Sequence, residues 1–374
     1  MTQFKIPLLI PDLPSADELL PYLKRIDENK WYTNFGPLVR EYEQQLAEWL
    51  SGLSGRQAHV VTLNSGTTAL ELGIVALELA ADAKVLIPAF TFPATGTAVL
   101  RAGLTPVLAD VDEQSWLLTP AIARRVIEQT DIGLVIPVAT FGVPQDVEAW
   151  DQFTVDTGIP VLIDAAAALM TQAVGKTTNC AYSLHATKPF GAGEGGLVAS
   201  ADEARTNMIS QLSNFGFNVG GIARSGGTNG KLSEYHAAVG LAQMDRKTQL
   251  MQQYRDLYSN YRQRLAETDI EFRFQTHAKD VIPFVMCLLL PESAPASKVE
   301  QALARQDIET RRWYCPPLYE HHAFEGYLCV HCNGVGISNS KMLGRQLIGL
   351  PFHTQLKDEH VDTICLALQQ ILAG

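Results

Sequence analysis

The chain has 374 residues, 47% of them hydrophobic and 18% charged, enough to bury a large core in one large domain with a smaller one beside it. Its 40 acidic residues outnumber 29 basic ones, a net charge of -11, which argues against nucleic acid or an anionic membrane as partner, because no local basic patch reverses that field. The most apolar run, Val281 to Leu290, is far too short to cross a bilayer and Met1 to Pro14 lacks the basic start and apolar core of a signal peptide, so a soluble, cytoplasmic protein is expected.

In chain order, Ser15 caps a helix carrying Leu19, Leu23 and Ile26, and Pro37 opens a second carrying Leu38, Tyr42, Leu46 and Trp49. These form an N-terminal arm, 1–55. From 56 to 232, short apolar runs alternate with helical patterns. The runs are His59 to Leu63, Lys84 to Pro88, Val107 to Val111, Gly133 to Val138, Pro160 to Ile163, Ala181 to Leu184 and Gly196 to Ala199. Thr68 to Leu79 is one of the intervening helices, with Leu70, Ile74 and Leu77 on a stripe. Such alternation predicts an α/β fold with a mostly parallel central sheet flanked by helices. The glycine-rich stretch 216–230 reads as a loop. From 233 to 374 the pattern predicts one long helix to about Leu265, strand-like stretches Glu271 to Phe274 and Pro283 to Leu289, a helix from Ser297 and a last helix from Lys357. That is a smaller C-terminal α+β domain.

Six cysteines, at 180, 287, 315, 329, 332 and 365, are too sparse for a disulfide framework and read as reduced thiols. Cys329 and Cys332, with His331 between them and His321 and His322 upstream, have metal-ligand character but lack the second ligand pair of a finger, so no metal is expected.

Three features carry chemistry. Asn64-Ser-Gly-Thr-Thr-Ala-Leu70 ends a strand in a small polar turn and begins a helix, which makes either an anion site or a plain N-cap. Asp164 closes an apolar strand, where open α/β sheets bind ligands, or else caps the following segment. Lys188 lies between a strand and a glycine-rich turn, where a lone lysine is ordinarily just solvated. Together they supply the separate contacts that pyridoxal phosphate (PLP) requires: a helix N-terminus for its phosphate, a carboxylate for its pyridine nitrogen and an amine for its aldehyde. Phe92 either covers the ring face or fills core.

These residues resemble the DegT/DnrJ/EryC1/StrS family of sugar aminotransferases, within the fold-type I PLP-dependent transferases. The resemblance runs along nearly the whole chain, through WYTNFGP (31–37), SGTTAL (65–70), IPAFTFPAT (87–95), VIPVATFG (135–142), VLIDAAAA (161–168), SLHATKPFGAGEGG (183–196), TNGKLSEYHAAVGLAQ (228–243), ETRRWYCPPLY (309–319) and LPFH (350–353). It implies that Thr67, Thr68 and Ser183 hold the phosphate with Gly66 beside them. Phe92 is then the stacking residue, Asp164 pairs with the ring nitrogen, and Lys188 is the Schiff-base lysine and proton carrier. Asn229 matches an asparagine that reaches the neighbouring subunit's phosphate, so a homodimer with shared active sites is implied. Phe35, His185, Tyr314 and Tyr319 are candidate substrate contacts, His185 being either that or structural. Three positions depart from the family pattern: Ala167 replaces the usual glutamine or histidine, Lys231 a common arginine, and Tyr319 a common histidine.

The implied reaction is amine transfer from an amino acid, glutamate by family habit, to a nucleotide-linked keto sugar. The SLHATK form of the lysine motif is more similar to members acting at carbon 4 of a dTDP- or UDP-linked 4-keto-6-deoxyhexose than to those acting at carbon 3. A sugar dehydratase of the same fold is disfavoured because its lysine is replaced by histidine. A catalytically silent binding or regulatory protein stays open because of Ala167.

Overall fold

The computed structural model describes residues 4–218, 220–330 and 337–373. His331 and Cys332 of the weighed metal arrangement lie outside them. Helices α1 (Ala16–Asn29) and α2 (Pro37–Ser54) lead into β1 (His59–Leu63). There follow α3 (Gly66–Val75), β2 (Lys84–Pro88), α4 (Pro93–Arg101), β3 (Thr105–Ala109), α5 (Pro120–Ile127), β4 (Leu134–Val135), α6 (Val147–Thr157), β5 (Leu162–Asp164), β6 (Asn179–Ser183), β7 (Gly196–Ser200) and α7 (Glu203–Ser213). The remainder comprises α8 (Glu234–Asp245), α9 (Lys247–Ala266), β8 (Met286–Leu289), α10 (Ala296–Ala304), β9 (Cys329–Val330), α11 (Ser338–Gln346), β10 (Leu347–Leu350) and α12 (Asp358–Ala373).

Parallel pairing joins β5 to β6, β2 to both β3 and β4, and β3 to β9, while β7 lies antiparallel between β1 and β6. Bridges Val135 to Val161 and Val138 to Asp164 set β4 beside β5. The order across the sheet is therefore β1-β7-β6-β5-β4-β2-β3-β9. This is the expected α/β class, with helices over a mostly parallel sheet whose strands are buried on both faces. A separate antiparallel pair, β8 with β10, shares a core with α9, α10 and α12.

Local chemistry explains the elements. Ser15 and Glu18 form a reciprocal capping box at α1. Pro37 sits in the first turn of α2, whose start is capped from a distance: Leu38 and Val39 donate their N–H groups to the buried Glu234 carboxylate at 2.9 and 2.8 Å. The stripe Leu38, Tyr42, Leu46 and Leu50 is fully buried, worth about 1.5–3 kcal/mol for each such side chain.

Three expectations are corrected. The helix expected across 233–265 is two, α8 and α9, parted at Arg246, whose guanidinium is drawn 2.7 Å from Asp12. Glu271 to Phe274 forms no strand; its one ladder contact among the described residues is the isolated bridge Arg273 to Leu289. The helix expected to reach Leu79 stops at Val75, and Glu78 takes a left-handed φ of 51°.

Candidate active site

The site lies where β1, β5 and β6 end. After β1, Ser65 caps α3 by accepting from the Thr68 N–H at 3.0 Å. The turn is packed so tightly that side chains are forbidden at two places. A Cβ on Gly66 would lie 2.8 Å from the Ser183 Cβ, and one on Gly196 would lie 2.4 Å from the Ser65 carbonyl oxygen. Glycine there lets the start of α3 sit directly on Ser183. The amides of the first turn, unpaired within the helix, and the hydroxyls of Thr67 and Ser183 then make an anion cradle.

Asp164, at the end of β5, is only 4% exposed. Its Oδ2 accepts from Thr95 Oγ1 at 2.7 Å and its Oδ1 from the Ala166 N–H at 3.1 Å. Burial pushes its carboxyl above the ordinary value, while those two bonds and the Lys188 charge oppose the rise. Lys188 stands in the turn after β6, fixed by backbone bonds from its N–H to His185 (2.8 Å) and from the Gly191 N–H to its carbonyl (3.0 Å). Its Nζ lies 5.3 Å from the Phe284 ring centre. Burial draws the Lys188 amine below its ordinary value, and Asp164 resists this. An amine so placed is neutral more often than a solvated one, as a nucleophile must be.

All three groups line one cavity of about 400 Å³. One end is the cradle of Ser65, Gly66, Thr67 and Ser183, and the far wall is apolar, with Val138, Phe141, Ala167, Phe284 and Tyr314. Tyr314 stacks on Phe141 with ring centres 5.1 Å apart. His185 and Glu194 stand at the same cavity with Nε2 and Oε1 3.7 Å apart. The residues fit PLP: an anion cradle, a held carboxylate and an amine occupy one enclosure, with Phe92, 52% exposed, on its lining. Among the described residues no cluster of three or more metal-ligating side chains occurs, and no helix is long and apolar enough to cross a membrane.

Of the residues singled out from sequence, Gly66, Thr67, Phe92, Asp164, Ser183, His185, Lys188 and Tyr314 line this cavity. Thr68 does not; its hydroxyl lies 2.9 Å from Ser65 Oγ, inside the cap. Phe35, Tyr319 and Asn229 also stand away from this lining. Tyr319 packs against the core that includes β2 and β3. Asn229 is exposed, with Oδ1 accepting from Lys231 Nζ at 2.9 Å. Sequence reading missed Thr95, Phe284, Glu194 and Arg311. Phe284 sits inside an apolar run that reads as core, and Glu194 and Arg311 lie within motifs already noted, where their charge was the available signal.

The profile of the DegT/DnrJ/EryC1/StrS aminotransferase family matches residues 15–369. The dTDP-4-amino-4,6-dideoxy-D-glucose transaminase of Escherichia coli is 28% identical over 386 residues, covering 100% of both chains. A solved structure from Bacillus cereus, provisionally named a PLP-dependent aminotransferase, is 29% identical with a TM-score of 0.89, covering 97% of this chain and 99% of that one. The structure of DesI in the presence of its TDP-sugar product is 28% identical with a TM-score of 0.87, covering 99% and 94%. The chain belongs to the DegT/DnrJ/EryC1/StrS aminotransferase family and is a pyridoxal-phosphate-dependent enzyme.

Proposed function

We propose that the protein moves an amino group from glutamate to the carbon-4 ketone of a dTDP- or UDP-linked 4-keto-6-deoxyhexose. The observation that carries the aminotransferase reading is Lys188 and Asp164 on one cavity with the anion cradle of α3. The nucleotide-sugar part is supported by the names of the Escherichia coli relative and the DesI complex, and by the SLHATK form of the lysine motif.

Pyridoxal phosphate, when bound, supplies an aldehyde that takes up an amine and a ring that accepts the electrons left on the substrate carbon. The α3 amides, Thr67 and Ser183 hold its phosphate. Asp164 keeps a proton on the ring nitrogen. With the cofactor bound, Lys188 Nζ would remove the proton from the donor α-carbon and later return one to the sugar carbon. The apolar wall of Phe141, Phe284 and Tyr314 keeps water from these transfers. Ala167, on the same wall, offers no polar group to the cavity.

The test is a panel of nucleotide-linked 4-keto and 3-keto sugars incubated with PLP-loaded protein and glutamate, read by mass spectrometry. Amination of a dTDP- or UDP-linked 4-keto sugar is expected. Amination of 3-keto sugars alone would overturn the positional assignment, and no amination across the panel would favour the silent binding protein.

We also propose a homodimer in which Asn229 serves the partner's site. It stands off its own cavity, its amide nitrogen has no hydrogen-bond partner among the described residues, and exposed Phe215, Phe217 and Ile222 lie nearby in sequence. Lys188→Ala and Asn229→Asp, each inactive alone, are expected to complement in a purified heterodimer. One of its two sites then keeps both native residues, so activity returns to about half the wild-type level, from the counting of shared sites on a twofold axis. A heterodimer no more active than its parents would reject sharing.

A further inference from the structure

Behind the cavity lies a short chain of hydroxyl groups that ends on the site's carboxylate. Thr91 and Thr95 flank the start of α4, four residues apart, and both are buried, with 1% and 0% exposure. Their Oγ1 atoms are 3.0 Å apart, and Thr95 Oγ1 lies 2.7 Å from Asp164 Oδ2. A threonine hydroxyl has one proton to give. Thr95 gives its proton to Asp164, so Thr91 must be the donor to Thr95. Both donations then run toward the carboxylate, an order that fits a carboxylate and opposes a neutral acid whose own proton lies on Oδ2. Thr91 lines the cavity, whereas Thr95 stands behind Asp164 and off the lining.

We infer that Thr95, oriented by Thr91, is a positioning residue that holds Asp164 as an anion facing the cofactor's ring nitrogen. This rests on the PLP reading above. Two groups compete for one proton there: the carboxylate and the pyridine nitrogen. Every donor removed from Asp164 makes its oxygens more basic, so the proton moves from the ring nitrogen to the carboxylate and leaves a neutral ring beside a neutral acid. Bonds to a charged acceptor in a dry site are the strong ones. Asp164 is only 4% exposed, which leaves little room for water to replace the lost donor, and among the described residues its other hydrogen-bond donor is the Ala166 amide at 3.1 Å. Besides these, Lys188 is the charged group that acts on Asp164, and Tyr314 is the titratable group that feels it.

The variant Thr95→Val keeps the side-chain shape and deletes the hydroxyl. Expected are a kcat for amine transfer lower by about tenfold to a hundredfold, the size of a lost bond to a charged group, and a KM for glutamate changed by less than about threefold because Thr95 touches no substrate. The separate readout is the nitrogen-15 chemical shift of ring-labelled pyridoxal phosphate in the loaded protein. It should move toward the neutral-pyridine value in Thr95→Val and return in Thr95→Ser, together with kcat. Wild-type kcat and shift in a folded Thr95→Val would overturn the inference. So would a fall in kcat with an unmoved nitrogen shift, which marks a merely structural role. Should Thr95→Val not fold, Thr91→Val carries the test: a smaller displacement of the same signal supports the relay, and an unmoved signal overturns it. Wild-type protein that takes up no labelled cofactor would instead remove the PLP reading itself.

Discussion

Lys188→Ala is expected to yield a folded protein whose amine transfer is lower by at least about three orders of magnitude, since one side chain serves as both covalent anchor and proton carrier. The turn that presents Lys188 is fixed by main-chain bonds to His185 and from Gly191, neither of which involves the amine. Truncation therefore leaves its shape. It also removes a partly buried cation that burial disfavours, so no large loss of stability follows from the missing charge. Asp164 loses the one cation that offsets its burial and takes up a proton more readily. Thermal melting and the cofactor retained through the α3 cradle measure the first expectation. Single-turnover transfer from glutamate measures the second. Normal turnover by this variant would end the mechanism.

The parts of the fold written in local chemistry are legible in the amino-acid sequence. The Ser15 to Glu18 capping box, Pro37 at a helix start and the bounds of β1 and β2 follow from residues within a few positions of one another. What is not legible depends on distant partners. The continuous helical pattern is interrupted at Arg246, whose guanidinium pairs with Asp12, far back in the N-terminal arm. The segment around Arg273 fails to extend as a strand where Arg273 pairs with Glu113 at 3.0 Å and the Gln275 side chain donates to the Ser115 carbonyl at 2.7 Å. Nor does periodicity reveal that β7 runs antiparallel or that β9 joins β3. The site divides in the same way. Lys188, Asp164 and the SGTTAL turn stand at strand ends, the places where the fold exposes chemistry, and each is visible from its own flanking residues. Thr95 and Phe284 act on Asp164 and Lys188 from other elements, so no spacing in the chain announces them.

Asp164→Asn is expected to lower kcat by about 10²–10³-fold, the cost typical of removing a charge-stabilising group from a preorganised site, while cofactor content falls far less. The substitution is nearly isosteric and can be satisfied where it stands. The introduced amide oxygen accepts from the Ala166 N–H in place of Oδ1, and the amide nitrogen faces Thr95 Oγ1, which reverses its hydroxyl to accept. Thr91 then no longer has to donate to Thr95, and the chain of hydroxyls runs the other way. Packing is thereby kept at a position only 4% exposed. The electrostatics are not kept, because an amide neither carries charge nor holds a proton on the ring nitrogen. Its second N–H instead donates toward that nitrogen and favours the unprotonated ring, a poor acceptor for the electrons left on the substrate carbon. Binding survives because the α3 cradle and Lys188 are untouched. Steady-state kinetics with glutamate, alongside cofactor released on denaturation and counted per chain, separate the two effects. A variant with near wild-type kcat would take Asp164 out of the ring-pairing role, and one that loses its cofactor entirely would show that this carboxylate, rather than the phosphate cradle, is the main anchor.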